Sequence, residues 1–361
     1  MNKRVGIITF HCSFNYGSVL QAYALQEFIA SLGYKSKIIN YIDKADFEQY
    51  RLFRTNSYKN NPKIVLADIV FFLQHRRRKV SFESFQKNHF RLTETFRSEC
   101  DLSKLNSVFD IFVCGGDQIW NLNCTNGING PYFLSFVNES KKLISYAPSM
   151  ASDSFDSHYD NDLRKLLMRF NSISVRERDS VAYVERLISK KVTCAIDPTF
   201  LMERSFYESL IVNPNEHKHY VFAYMIADDE RLIDYLMSLA ESGVKVYFLS
   251  LHCYSSLKVK NLYGISPEKF LGYIKYADYV VTNSFHATIF SIIFEKRFLV
   301  FNKGASSSRI SNLLDTLNLN ERTDLSCINN SIDYNQVNSV LEKWKYESKE
   351  YLIKALGHEH E

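Results

Sequence analysis

The chain has 361 residues, of which 46% are hydrophobic and 23% charged, and this length suits two globular domains better than one. The 44 basic and 40 acidic side chains leave a formal net charge of only +4, so we expect no nucleic-acid partner. The seven cysteines are scattered and contain no C-x-x-C pair, which argues against a structural zinc and a disulfide framework. We therefore expect a cytoplasmic protein without a bound metal.

The first residues predict a βαβ unit. Residues 5–10 form an apolar run that is typical of a strand and too short for a signal peptide. Residues 18–32 place their apolar side chains on one helical face, and a second strand is predicted over residues 37–41, after the helix-ending Gly33. Such a unit indicates a parallel, doubly wound sheet of the α/β class.

Residues 43–95 interrupt this alternation and are predicted to form a helical insertion in the N-terminal domain. An apolar stretch, residues 64–73, is followed by the basic run His75-Arg76-Arg77-Arg78-Lys79. The stretch contains Asp68 and is too short to span a bilayer. Two interpretations stay open, a peripheral contact with an anionic membrane surface and a helix packed on its own domain with its basic end in solvent.

The rest of the chain predicts two Rossmann-like domains. The N-terminal domain comprises residues 1–198. The C-terminal domain comprises residues 199–330, and residues 331–361 form a helix that is expected to pack back across the domain junction. Further strands are predicted over residues 111–114, 143–146, 172–175, 192–195, 220–225, 244–249, 279–282 and 298–301.

Two loops in the N-terminal half follow predicted strands and carry residues suited to ligand binding. In Asn15-Tyr16-Gly17 the glycine permits a sharp turn, and the side chains of Asn15 and Ser18 are suited to cap the next helix. In Gly115-Gly116-Asp117-Gln118 the two glycines bring the backbone close to a ligand, and Asp117 is a candidate acid or base. The alternatives are plain turn chemistry for the first loop and a helix-capping aspartate for the second.

Cations follow two further predicted strands. Arg176 comes directly after residues 172–175 and suits a bidentate grip on carboxylate or phosphate, with surface ion pairs as the alternative. The stretch from Lys303 to Arg309, which includes Ser308, combines hydroxyls, a glycine and two cations. Such a stretch can surround an anion, and a flexible polar loop is the alternative.

His286 lies where a predicted strand passes into a predicted helix. Residues 279–282 are the strand, Asn283 and Ser284 are placed as the N-cap, and the helix begins at Phe285. The histidine is therefore in the first helical turn, where backbone N–H groups and the helix dipole favour anions such as phosphate. A capping histidine that only hydrogen-bonds the preceding turn is the alternative reading.

Neither nucleophilic catalysis nor metal ligation is indicated. The sequence has no G-x-S-x-G elbow and no G-x-G-x-x-G fingerprint, and its ten histidines form no H-x-x-x-H pair on a helix. We therefore predict an anion-binding site with Asp117 and His286 for proton transfer, and no cofactor.

Six short motifs, taken in order, resemble those of the polysaccharide pyruvyl transferase family, and the resemblance runs from residue 6 to about residue 322. Each motif is weak alone, and the order over most of the chain is what makes the resemblance specific. The motifs are Asn15-Tyr16-Gly17 with the following Leu20-Gln21-Ala22, Gly115-Gly116-Asp117-Gln118-Ile119-Trp120, Ser145-Tyr146-Ala147-Pro148-Ser149, Ser174-Val175-Arg176-Glu177, Asp197-Pro198-Thr199 and Ser284-Phe285-His286-Ala287.

The resemblance implies a GT-B-like fold, with two Rossmann-like doubly wound domains facing a cleft. It also implies transfer of pyruvate from phosphoenolpyruvate, the donor, to two hydroxyls of a saccharide acceptor in a surface-polysaccharide precursor, giving a cyclic ketal. The family's functional residues fall on Asp117, Arg176 and His286, together with Arg309 and Asn15. Two other functions stay open, a nucleotide-sugar-dependent glycosyltransferase and a non-catalytic carbohydrate-binding protein. A lipid-linked acceptor and a location at the inner face of the cell membrane are also open.

Overall fold

A computed structural model describes residues 3–43, 52, 63–215, 219–250, 258–301 and 307–357. The chain divides into two compact units. Unit 1 comprises Met1–Asn56, Gln86–Met202 and Glu342–Glu361, and unit 2 comprises Ser57–Phe85 and Glu203–Leu341.

Unit 1 contains a five-stranded sheet in the order β3-β2-β1-β4-β5, and all its strands are parallel. Every residue of β4 is buried, as expected for a central strand that is covered on both faces. A separate two-stranded parallel sheet pairs β6 with β7. The strands are β1 Arg4–Ile8, β2 Lys35–Tyr41, β3 Leu92–Phe96, β4 Ile111–Gly115, β5 Lys142–Tyr146, β6 Ser174–Val175 and β7 Thr193–Cys194.

Unit 2 contains a second five-stranded sheet in the order β10-β9-β8-β11-β12, again with parallel strands only. Its aromatic residues pack against one another, and the rings of Phe222 and Tyr273 stack with their centroids 5.6 Å apart. The strands are β8 Val221–Met225, β9 Val246–Ser250, β10 Lys260–Leu262, β11 Tyr279–Thr282 and β12 Arg297–Val300.

The α-helices of the described residues connect these strands, as the predicted α/β alternation requires. The first helix begins two residues before the prediction. They are α1 Tyr16–Ser31, α2 Lys63–Val70, α3 Phe72–His89, α4 Glu99–Leu102, α5 Asp160–Leu167, α6 Arg178–Ile188, α7 Arg204–Leu210, α8 Glu230–Glu241, α9 Pro267–Tyr276, α10 Phe285–Ile293, α11 Ser307–Thr316 and α12 Tyr334–Leu356.

The core of unit 1 explains part of the Gly115-to-Trp120 motif. Trp120 is buried, its ring stacks on Phe133 with centroids 5.1 Å apart, and its Nε1 donates a hydrogen bond to the carbonyl oxygen of Tyr132 at 3.0 Å. A buried indole needs such an acceptor. Trp120 therefore has a packing role, and it fixes the loop that follows β4.

The predicted insertion differs from the structure in two respects. Its last residues form strand β3, and Ser57–Phe85 belong to unit 2 although the whole insertion was placed in the N-terminal domain. The physical reason is the docking of α3, whose Ser81 Oγ donates to the carbonyl oxygen of Gly264 at 2.7 Å, while Phe82 is buried.

Helix α12 is shared between the units, with the division after Leu341. Near its start, the hydroxyl of Tyr334 donates to the carbonyl oxygen of Lys296 at 2.5 Å, within unit 2. Near its end, Tyr351 donates to the carbonyl oxygen of Ser145 at 2.9 Å, within unit 1. In the part of the chain that the structure describes, no helix is both long and apolar enough to cross a bilayer.

Candidate active site

The loop between β1 and α1 is organised by Asn15. Its backbone is extended, and its Oδ1 accepts hydrogen bonds from the backbone N–H of Gly17 at 2.9 Å and of Ser18 at 3.5 Å. This is N-cap geometry, and Tyr16 and Gly17 are buried in the first helical turn. The structure thus gives Asn15 the capping role, and its part in ligand binding stays a prediction.

Gly115, the last residue of β4, and Gly116, which follows it, are both required by close contacts. A Cβ on Gly115 would lie 2.2 Å from the backbone oxygen of Tyr146, and one on Gly116 would lie 1.6 Å from Oε1 of Gln21. Gly116 has φ +69° and Asp117 has φ +48°, so two successive residues are left-handed. Backbone of this kind is costly for a residue with a side chain and is frequent at functional sites.

Asp117 is held from three directions. Ser18 Oγ donates a hydrogen bond to its Oδ2, and the backbone N–H of Gln118 donates to its Oδ1 at 2.9 Å. Its carbonyl oxygen accepts from the backbone N–H of Ser149 at 2.7 Å. Because Ser18 is in the first turn of α1, the carboxylate lies at the positive end of that helix. The predicted location of Asp117 at the carboxyl end of a buried strand is confirmed.

Arg176 follows β6 and is buried in an ion pair. Its Nη2 lies 2.9 Å from Oδ2 of Asp197, whose Oδ1 accepts from the N–H and Oγ1 of Thr199 at 2.9 and 2.7 Å. Burial, with a further contribution from the charge of Asp197, raises the pKa of the Tyr146 phenol well above its ordinary value. The sequence left open that Arg176 forms ion pairs at the surface. The structure shows a buried ion pair instead, because Asp197 lies in the interior.

His286 is the second residue of α10 and is buried. Ser284 has extended backbone, and its Oγ accepts from the backbone N–H of Ala287 at 3.4 Å, so of the two predicted N-cap residues it is Ser284 that caps the helix. Asn283 links this turn to the end of β8, since its Oδ1 accepts from the N–H of Ile226 at 2.9 Å and its Nδ2 donates to the carbonyl oxygen of Ala227 at 2.6 Å. The predicted junction of strand and helix is therefore present.

Arg309 lies near the start of α11 and approaches the same helix as His286. Its Cζ is 5.4 Å from the ring centroid of Phe285, a cation–π geometry, and the imidazole of His286 makes an edge contact with that ring at 5.3 Å between centroids. Both side chains are buried. Ser308 is half-buried, and Lys303 lies outside the described residues.

The candidate residues thus form two groups, one in each unit. In unit 1 the loops that hold Asp117 and Arg176 are joined through residues 148–149, because the N–H of Arg176 donates to the carbonyl oxygen of Pro148 at 3.2 Å. In unit 2 the group is Ser284, His286 and Arg309. Within the described part of the chain, no cluster of three or more His, Cys, Asp or Glu side chains is placed to hold a metal.

Sequence reasoning missed the partners of these residues. Ser18 is expected from the sequence to cap α1, whereas Asn15 is the cap and the Ser18 hydroxyl bonds Asp117. Gln21 and Asp197 belong to the motifs, but the sequence gives them no role toward Gly116 or Arg176. Gln21 supports the loop at Gly116, with its Nε2 donating to Thr9 Oγ1 at 2.9 Å and to the carbonyl oxygen of Ser18 at 3.0 Å. The occurrence of Gln21 and Asp197 inside the motifs was the signal available in the sequence.

Solved structures with the same fold match almost the full length of this chain at low sequence identity. The UDP-GlcNAc 2-epimerase of Methanocaldococcus jannaschii is 11% identical over 99% of this chain and 100% of that one, with a TM-score of 0.52. An alpha-glucosyltransferase in complex with UDP and DNA is 9% identical over 99% and 95%, with a TM-score of 0.51. A putative UDP-N-acetylglucosamine 2-epimerase from Listeria monocytogenes is 9% identical over 97% of both chains, with a TM-score of 0.50. This likeness shows the fold, and the predicted GT-B-like fold is confirmed.

At the level of sequence, no curated protein matches the chain. Residues 15–303 match the family described as polysaccharide pyruvyl transferase. The matched range covers most of the chain and includes Asp117, Arg176 and His286. The chain belongs to the polysaccharide pyruvyl transferase family.

Proposed function

We propose that this protein transfers the pyruvyl group of phosphoenolpyruvate to two hydroxyls of one sugar in a surface-polysaccharide precursor, giving a cyclic ketal. Family membership supports a pyruvyl transfer. The observation that carries the choice of donor is the contact of Arg309 and His286 with Phe285, at the N-terminus of α10. A guanidinium, an imidazole and the positive end of a helix suit a phosphate-bearing substrate.

The proposed reaction needs one proton delivered to carbon and two removed from hydroxyls. Protonation of the methylene carbon of phosphoenolpyruvate gives a methyl group and an oxocarbenium-like centre, and the first sugar hydroxyl attacks this centre as it loses its proton. The bond from this carbon to the phosphate oxygen then breaks, and inorganic phosphate leaves with one proton, so that the methylene carbon and the phosphate together gain the two protons that the hydroxyls lose. The second hydroxyl attacks and loses its proton, which closes the ketal ring.

Asp117 is the proposed proton acceptor for the sugar hydroxyl. An ionised carboxylate only accepts hydrogen bonds, and Asp117 already accepts from Ser18 and Gln118 in a fixed orientation. His286 and Arg309 are assigned to the phosphate end, where an imidazolium can supply a proton. Arg176 is assigned as a positioning residue, because its guanidinium is paired with Asp197 and its backbone N–H holds the loop next to Asp117.

The donor is tested by thermal denaturation of the purified protein with phosphoenolpyruvate. A ligand that binds only the native state raises the melting temperature by mass action, so phosphoenolpyruvate is expected to raise it. Arg309→Met is expected to abolish this rise, whereas the exposed Arg186→Met is the matched control and is expected to keep it. A wild-type protein that phosphoenolpyruvate does not stabilise, or an Arg309→Met variant that responds as the wild type does, would contradict the assignment.

The transfer step is tested by release of inorganic phosphate and by mass spectrometry of the acceptor. His286→Gln and Asp117→Asn are each expected to lower the turnover number by about 10²–10⁴-fold, the range for a general acid or base. The exposed His158→Gln is the control for the histidine and is expected to turn over at the wild-type rate. Wild-type turnover in both site variants would overturn the roles of Asp117 and His286.

A nucleotide-sugar-dependent glycosyltransferase is the second candidate, because solved structures with this fold include an alpha-glucosyltransferase bound to UDP. The same thermal experiment separates the two functions. A larger rise with UDP-GlcNAc than with phosphoenolpyruvate favours the glycosyltransferase. Binding of a saccharide without any release of phosphate favours the third candidate, a non-catalytic carbohydrate-binding protein.

A further inference from the structure

Helices α2 and α3 carry large apolar side chains that are exposed. Leu66, Ile69, Val70 and Leu73 have exposed fractions of 66%, 61%, 59% and 71%. Leu66, Ile69 and Val70 are spaced i, i+3 and i+4 and share one face of α2, and Leu73 follows three residues later in the first turn of α3. We call these four residues the apolar stripe. Exposed apolar side chains that cluster in this way mark an interaction surface.

The opposite side of the same segment is the one that packs on unit 2. Asp68, which lies between members of the apolar stripe, is buried. Farther along, Phe82 and Phe85 are buried, and Ser81 is hydrogen-bonded to Gly264. The interpretation of a helix packed on its own domain therefore holds for the C-terminal half of α3. The apolar stripe stays exposed.

A cationic run follows the apolar stripe directly. His75-Arg76-Arg77-Arg78-Lys79 contains four permanent cations, and Arg76 and Arg77 are exposed. Between residues 63 and 82 the sequence has a single acidic residue, the buried Asp68. The exposed surface of this segment is therefore apolar at one end and positively charged at the other.

We propose that this segment docks the protein peripherally on an anionic lipid bilayer. The apolar stripe would enter the boundary between headgroups and acyl chains, and Arg76 and Arg77 would contact the phosphates of anionic headgroups. A nucleic acid would satisfy the arginines but offers nothing to four exposed aliphatic side chains. The bilayer satisfies both halves of the surface. This inference does not rest on the proposed transfer reaction, although it would bring the protein to a lipid-linked acceptor.

The test is flotation of the full chain with vesicles of pure phosphatidylcholine and of phosphatidylcholine mixed with phosphatidylglycerol. The protein is expected to float with the anionic vesicles, not with the neutral ones, and to be released by high salt. Arg76→Gln with Arg77→Gln is expected to weaken binding about 25-fold, from about fivefold for each cation. Leu66→Ser with Leu73→Ser is expected to weaken it by about tenfold or more for each leucine.

Two double variants elsewhere serve as matched controls. Lys190→Gln with Lys191→Gln removes two exposed cations, and Met237→Ser with Tyr346→Ser removes two exposed large side chains. Both are expected to float like the wild type. The proposal is overturned if anionic vesicles do not bind the protein, if the control cations matter as much as Arg76 and Arg77, or if the leucine variant binds normally. Sedimentation that shows a dimer dissociated by the leucine variant would instead assign the apolar stripe to a second copy of the chain.

Discussion

Arg176 and Asp197 form an ion pair in the interior of unit 1, with Nη2 and Oδ2 2.9 Å apart and side chains only 4% and 1% exposed. Arg176 follows β6, and Asp197 precedes the 3-10 turn Pro198–Leu201, where its second oxygen caps Thr199. The pair therefore ties together two loops that carry family motifs. Loss of either partner would leave the other charge buried and uncompensated.

A variant in which Arg176 alone is replaced is expected to unfold more readily than the wild type. Arg176→Met should lower the free energy of unfolding by about 3–5 kcal/mol, the usual cost of breaking a buried pair. Arg176→Met with Asp197→Leu should recover most of this loss, because it removes both charges. Urea denaturation of the three proteins measures the difference.

The exposed pair of Arg204 and Glu208 is the control for this experiment, since Arg204→Met should cost less than about 1 kcal/mol. An Arg176→Met variant as stable as the wild type would contradict the prediction. Activity of the double variant then bears on mechanism. Retained transfer in that folded protein would agree with Arg176 as a positioning residue, whereas complete loss would indicate direct contact with substrate.

Gly116→Ala is expected to be more destabilising than Gly33→Ala. Both glycines have positive φ, +69° and +85°, so both variants pay the left-handed backbone cost of about 1–2 kcal/mol. Only at Gly116 would the new Cβ collide with Gln21, whose amide is held by Thr9 and Ser18. Overpacking of this kind adds about 1–3 kcal/mol. Urea denaturation checks the difference, and equal losses in the two variants would show that Gln21 moves freely.

Ser18→Ala is expected to lower the turnover number about tenfold or more with little change in stability. The hydroxyl of Ser18 orients the carboxylate of Asp117, and loss of one hydrogen bond to a charged group costs about 1.5 kcal/mol or more, equivalent to a factor of about ten or more. Ser31→Ala removes a similar hydroxyl at the other end of α1, bonded to the carbonyl oxygen of Phe28, and should leave the rate unchanged. Steady-state kinetics separates the two variants. A Ser18→Ala enzyme that keeps the wild-type turnover number would remove Ser18 from the mechanism.

The sequence predicted the parts of the fold that depend on local patterns. The βαβ unit at the start and the junction at His286 followed from apolar periodicity and capping chemistry. The strands β3, Leu92–Phe96, and β10, Lys260–Leu262, were not predicted. Both lie at the edges of their sheets, and each has a single buried residue, so neither has a clear apolar pattern. Such strands are formed by pairing with a neighbour more than by their own side chains.

The sequence indicated which residues to consider for the candidate site, but it did not indicate their contacts. Asp117 and Ser18 are separated by 99 positions, and nothing local in either segment indicates the other. Arg176 was expected to bind an anionic ligand or to form surface pairs, and burial with Asp197 depends on how two loops pack. Gly116 was explained by ligand approach, whereas the structure adds the close contact with Gln21.

The buried His11 should make the protein less stable in mild acid. Its Nε2 lies 2.9 Å from Oδ1 of Asn40, yet burial outweighs this contact and lowers its pKa from the ordinary value of 6.5. Below about pH 6.5 the unfolded chain therefore binds more protons at this site than the folded protein does. The free energy of unfolding decreases as the pH is lowered, until the pKa of His11 in the folded protein is reached. His11→Gln should flatten this fall in the free energy of unfolding, measured by urea denaturation between about pH 7.5 and 5.5.

His219 is the control, because Asp278 raises its pKa. A histidine with a raised pKa stabilises the folded protein below about pH 6.5, and this stabilisation is lost as the pH rises. His219→Gln should therefore leave the acid-side fall in place, and an equal slope in wild type and His11→Gln would show that His11 is not the group that titrates.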